Sequence, residues 1–215
     1  MTSVYHEVRL PHDPARVVLW RALWRYYFSQ LVRPDDCVLD IGCGHGAFIN
    51  SVVARKRIGL DSWPDFPSYL QAGVEPIVGS AVELGELVKE PVDFAFASNL
   101  FEHLTQTDLM TLLGGVRKIL SPRGTLNIIQ PNYRYAYREY FDDYTHIAIY
   151  SDVSLCDVLR VNGFDIVDVK PRFLPLSIKS GLPVHESLIR AYLASPIKPM
   201  GKQMLIRARV RSAAA

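Results

Sequence analysis

Asp40-Ile41-Gly42-Cys43-Gly44-His45-Gly46 is the stretch whose residue types and spacing are best suited to chemistry. Three glycines at alternate positions permit positive φ and let a ligand approach bare backbone. The run Cys37 to Ile41 is apolar except for Asp40, which is the pattern of a buried strand, and Ala47 to Val53 reads as the start of a helix packed on a sheet. A strand feeding a glycine turn into a helix N-terminus suits a nucleotide-like ligand, because the helix start offers N–H groups and positive potential. The next strand-like run, Arg57 to Asp61, ends in an acid placed to accept both hydroxyls of a ribose.

Two cofactor classes use this arrangement, and glycines alone do not separate them. Gly42-x-Gly44-x-x-Ala47 fits the dinucleotide pattern. Asp40-x-Gly42-x-Gly44-x-Gly46 resembles the first motif of class I S-adenosylmethionine (AdoMet) methyltransferases. Asp40 separates them: a carboxylate at the end of a buried strand is costly without a partner, would repel a pyrophosphate, and can face the methionine ammonium. The run Asp93 to Leu104 and the pattern Ser-x-x-x-Leu-x-x-x-Leu-x-x-x-Gly-Phe from Ser151 to Phe164 extend the resemblance, most closely to small bacterial enzymes of the ubiquinone-methyltransferase-like type.

That resemblance covers about Asp36 to Val210. It implies a Rossmann-like, doubly wound α/β fold with a seven-stranded, mainly parallel sheet, a C-terminal antiparallel hairpin, and AdoMet across the carboxyl ends of the strands. Carried onto this chain, the cofactor residues are Asp40, Gly42, Gly44, Gly46, Asp61, Ser62, Ser80, Ala81, Ala97 and Asn99, with Ser80 standing where such enzymes often carry an acid for adenine. Some ubiquinone-type relatives hold a divalent ion on acid-x-x-acid-His. Here Asn99, Glu102 and His103 occupy those positions, and Asn99 replaces the first acid, so the expectation is of no metal. Two other readings stay open: a protein that binds AdoMet without turnover, and a nicotinamide-dependent oxidoreductase. Asp40 and the lack of a Tyr-x-x-x-Lys pair argue against the second.

Methyl transfer to oxygen or nitrogen releases a proton. His103, beside Glu102, and His146, within a tyrosine-rich stretch after Asp142 and Asp143, are the candidate bases, because imidazole titrates near working pH. The segment Tyr133 to Tyr150 holds six tyrosines, with Tyr133, Tyr137, Tyr140 and Tyr144 spaced as on one helical face. They serve as a half-buried stripe over the core or as a pocket wall with hydroxyl donors. Aromatic faces edged with hydroxyls point to a small-molecule or glycan acceptor, with O-methylation the expected outcome. A net charge of +2, with no dense basic run, argues against nucleic acid.

The supporting elements follow from pattern. At 215 residues, 49% apolar and 21% charged, the chain suits one domain with a substantial core. Cys37, Cys43 and Cys156 lack metal-ligand spacing and read as reduced thiols of a cytoplasmic protein; neither a signal peptide nor a run of membrane-spanning length is visible. Asp13-Pro14 starts a helix expected to reach about Leu31, either covering the sheet or resting on a membrane as a basic, aromatic helix. Strands are expected at 37–41, 57–61, 74–78, 91–98, 125–130, 164–170 and 201–210, with helices capped by Thr107 or Asp108 and by Ser151, a turn at 121–124, and a short helix at about 184–193. On this reading residues 1–33 form the N-terminal helix and its lead-in, 34–132 the cofactor-binding core, and 133–150 and 171–200 insertions on the acceptor side.

Overall fold

The computed structural model describes residues 13–175 and 185–212, and the expectations for 1–12, 176–184 and 213–215 lie outside them. Seven strands form one sheet in the order β3-β2-β1-β4-β5-β7-β6: β1 is Cys37–Ile41, β2 Lys56–Asp61, β3 Val74–Val78, β4 Val92–Ser98, β5 Leu120–Pro131, β6 Phe164–Pro175 and β7 Gly201–Val210. The first five pair in parallel, and β7 lies antiparallel between β5 and β6. Every residue of β1 is buried, which accounts for its unbroken apolar run. β3 is an edge strand and carries Pro76, which a central strand would not tolerate.

Helix α1 (Pro14–Tyr26) opens on the expected cap, with the Asp13 carboxylate accepting from the Ala15 amide. It ends at Tyr26 instead of Leu31, where a 3-10 turn over Phe28–Gln30 takes over. Its apolar face lies on the sheet: Trp20 and Leu23, with Phe28 of the 3-10 turn, pack with Phe48, Phe94, Phe96, Phe173 and Leu205. The opposite face of the sheet is covered by the core residues of α3 (Gln106–Ile119) and α5 (Asp152–Val161). Between these come two single turns, α2 (Leu84–Leu87) and α4 (Tyr133–Ala136), and a last helix, α6 (Glu186–Ala194), follows β6.

Four further expectations are corrected. No α-helix follows the glycine turn; the chain makes only a 3-10 turn at Ile49–Ser51 and is extended at Val52. Ile49, Val52 and Val53 are β-branched, and Gly46 in the left-handed region interrupts any helix start before them. α3 is capped by Thr105, whose hydroxyl accepts from the Asp108 amide, and not by Thr107 or Asp108. Residues 121–124 belong to β5, because the strand already pairs with β4 at Val92↔Leu120 and resumes after a register shift. The tyrosine stripe does not form: α4 stops at Ala136, Tyr140 is fully buried, and Tyr137 and Tyr144 stand 52% and 75% exposed. The Ser151 capping box and the left-handed Gly163 bound α5 as expected.

Candidate active site

Strand order reverses between β1 and β4, so the carboxyl ends of these strands open a crevice where an open α/β sheet takes its ligand. Gly42, Gly44 and Gly46 fill it with φ of 70°, 50° and 68°, a conformation other residues reach only at a cost. The turn is clamped to β2. The Gly42 and Cys43 amides donate to the Leu60 carbonyl at 2.8 and 3.1 Å, and the Gly44 amide donates to Asp61 Oδ2 at 2.8 Å. A Cβ on Gly46 would come within 2.5 Å of Leu70, whereas one on Gly44 would meet nothing within 4 Å. Gly46 therefore answers to packing, and Gly44 leaves backbone bare to open space.

Asp40 and Asp61 end adjacent strands and are both buried. Burial first, and then the Asp61 charge, push the Asp40 carboxyl up to about 8, against the pull of the Ile49 amide. Asp61 accepts one backbone amide on each oxygen, from Gly44 and from Trp63 at 2.9 Å, which leaves lone pairs for ribose hydroxyls. Two buried carboxylates side by side fit a cationic ligand such as the amino-acid end of AdoMet and repel a pyrophosphate. Through the open face at Gly44, the residues present match that cofactor.

The other expected cofactor residues fall around the same rim. Ser62 is exposed beside Asp61, and Ala97 is buried in the core, so only its main chain is available. Ser80 caps the 3-10 turn Ala81–Glu83, with Ala81 half-buried behind it. The Glu83 carboxylate accepts from the Ser80 amide at 3.3 Å, which closes a capping box over this turn. The Ser-x-x-Glu spacing of a capping box was the signal for it. Asn99 sits at φ 50°, a left-handed position that asparagine tolerates better than most residues, and its side-chain oxygen accepts from Gln203 Nε2 at 3.1 Å. Gln203 comes from β7, and no local motif marked it.

Beyond β4 the chain makes a 3-10 turn over Phe101–His103, with Leu100 packed so closely that a Cβ on Gly42 would lie 3.1 Å from it. The Ile147 and Ala148 amides donate to the Glu102 carbonyl at 2.9 and 3.1 Å, which draws the tyrosine-rich segment over this turn. His103 and His146 are thereby brought together, ring centroids 4.9 Å apart. His103 Nδ1 engages the Thr145 carbonyl at 3.2 Å and its hydroxyl at 3.0 Å, and that hydroxyl donates to Asp143 Oδ1 at 2.6 Å. His146 Nδ1 engages the Tyr140 carbonyl at 2.5 Å. Burial and then the neighbouring His146 lower the His103 pKa, against the Thr145 carbonyl and Asp143. The Glu102 carboxyl is fully buried and burial pushes it up to about 8. Asn99, Glu102 and His103 do not share a helical face: the turn begins only at Phe101, and the Asn99 amide is tied to β7.

The β1/β4 switch and the acid-lined glycine turn suit a cationic, ribose-bearing cofactor, and an acid–imidazole cluster stands beyond β4. The model of the methyltransferase-domain family matches residues 19–169, and the chain belongs to that family. The chain carries a class I AdoMet-dependent methyltransferase domain, with S-adenosylmethionine as the cofactor of that domain. It is 26% identical over 111 residues to an uncharacterised 37.1 kDa protein of a Streptomyces fradiae transposon, matching 47% of this chain and 32% of that one. The chain thus spans about a third of that relative's length. In fold it is similar to an AdoMet-dependent methyltransferase of Archaeoglobus fulgidus, with a TM-score of 0.67, 24% identity, and 95% and 97% of the two chains covered. It is also similar to a mitomycin 7-O-methyltransferase, with a TM-score of 0.62, 16% identity, and 90% and 53% covered.

Proposed function

We propose that this methyltransferase acts on a hydroxyl of a small or medium-sized acceptor, a glycan or a related envelope or secondary metabolite. The observation that carries the reading is the His103–His146 pair, held by Nδ1 against carbonyls beside the glycine turn. The cofactor supplies an electrophilic methyl group on a sulfonium when bound. Asp40 and Asp61 bind and orient it, and Gly44 lets it approach. Placing the acceptor oxygen in line with that methyl provides most of the acceleration, on the order of 7–11 kcal/mol where the geometry is good. With the acceptor so placed, His103 or His146 would take at Nε2 the proton that the hydroxyl loses.

Acceptor selection falls to the parts of the chain that the cofactor core does not require: the N-terminal helix, residues 133–150 and residues 171–200. Tyr133, Tyr140 and Phe141 pack edge to face in the second of these, and the sequence carries no dense basic run of the kind a phosphate backbone needs. Among the described residues no helix is long and apolar enough to cross a membrane; the reading of a cytoplasmic protein is supported by Cys37, Cys43 and Cys156 as free thiols. The test is a methyl-transfer assay with labelled AdoMet against sugars, phenols and lipid-linked glycans. His146→Gln is expected to lower kcat while leaving S-adenosylhomocysteine affinity intact. Turnover of nitrogen acceptors only would sink the oxygen assignment, and full activity of the variant would remove His146 from the proton path.

A further inference from the structure

We propose that Glu102, His103 and His146 form a binding site for one divalent transition-metal cation of the zinc class. One carboxylate oxygen and one nitrogen from each ring lie within 4.8 Å of one another. The Glu102 carboxylate is fully buried, and neither oxygen has a hydrogen-bond donor. A carboxyl taken out of water without a donor is costly, and a cation between it and two imidazoles removes that cost.

Both rings are already arranged as metal ligands are. Each engages a main-chain carbonyl through Nδ1, His103 at 3.2 Å and His146 at 2.5 Å. A carbonyl only accepts, so Nδ1 carries the proton and the lone pair resides on Nε2, the tautomer in which imidazole ligates. Behind His103 the chain of support continues through Thr145 to Asp143. Two nitrogens and one oxygen suit zinc-like ions better than magnesium or calcium, and three protein ligands leave a coordination position open. This ligand set differs from the Asn99/Glu102/His103 run. Its third member comes from the tyrosine-rich segment, and Asn99 takes no part because its amide is held by Gln203.

The site stands on this geometry alone; only its consequence rests on the methyl-transfer reading. A cation held there would occupy both Nε2 lone pairs and would offer its open position to an oxygen ligand, so the proton path through a histidine belongs to the metal-free protein. The test uses the full chain after chelator treatment, titrated with Co2+ as a visible probe and with Zn2+ in competition against a chromophoric chelator. Wild type is expected to develop the d–d bands of four- or five-coordinate Co2+ at one equivalent. His146→Ala and Glu102→Gln are expected to weaken binding of both ions by at least about 10-fold, with melting temperature and S-adenosylhomocysteine affinity reporting that the fold is kept. Wild type without such bands, or either folded variant binding like wild type, overturns the site. Neither readout needs an acceptor, so a failure of the methyl-transfer reading would register separately in the turnover assay.

Discussion

Asp40 is the residue on which charge and function meet most directly. In the unfolded chain its carboxyl ionises near the ordinary aspartate value of 3.8, whereas in the fold it holds its proton to about 8. Between those values the native state binds a proton that the unfolded state has released. Stability of the ligand-free protein therefore falls as pH rises through this window, with the loss complete above about 8. A cationic ligand beside Asp40 and Asp61 reverses the preference, so S-adenosylhomocysteine binding at pH 7 is expected to release a proton and to tighten as pH approaches about 8. Calorimetry in buffers of different ionisation enthalpy measures that release, and its absence would place the ammonium elsewhere. Asp61 has a second duty, since it holds the Gly44 and Trp63 amides. Asp61→Asn should cost roughly 1.5–3 kcal/mol in cofactor affinity per charged hydrogen bond weakened. It should also loosen the glycine turn, which hydrogen exchange at Gly44 would reveal.

At the scale of elements, the tyrosine-rich segment owes its position to buried hydrogen bonds instead of helical periodicity. Tyr140 is its anchor: fully buried, packed on Tyr133 and His146, and donating from its hydroxyl to the Ala148 carbonyl at 2.5 Å. Burial raises its pKa well above the usual phenol value. Tyr140→Phe leaves the ring in place and strands that carbonyl, at about 1 kcal/mol of stability. Because His146 hangs from the Tyr140 main chain, turnover is expected to drop in Tyr140→Phe while cofactor affinity holds. Equal losses in both would mean that the segment supports the cofactor crevice itself.

Across the whole molecule, the sheet is held by its two apolar faces far more than by its surface ion pairs. Phe28 is fully buried where α1's flank, β1, β4 and β6 meet, with rings of Tyr27, Phe48, Phe94, Phe96 and Phe173 around it. Arg123 ties Asp35, Asp36 and Asp93 together at the opposite end of the strands from the site, with its own side chain 45% exposed. Asp93 keeps the Cys37 amide and the Ser121 hydroxyl as donors without it. Urea denaturation is expected to show a loss of about 3–5 kcal/mol for Phe28→Ala. For Arg123→Ala, exposed ion pairs predict about 1 kcal/mol or less. The reverse order would mean that the strand ends depend on this charge network.

The amino-acid sequence by itself determined what depends on neighbours along the chain. Asp40 with its three glycines, Asp61 at the next strand end, the Asp13-Pro14 start and the Ser151 cap were all legible, because backbone sterics, capping and burial alternation act over a few residues. The helix after the glycine turn and the stripe of tyrosines were misread by the same local logic. β-Branched residues after Gly46 and the burial of Tyr140 override a spacing that a free helix would have honoured. Tertiary structure alone decided that His146 meets His103 over Glu102 and that Asn99 turns to Gln203. Those pairings rest on main-chain hydrogen bonds and strand order between residues far apart in the chain, and no local pattern of residue types carries that information.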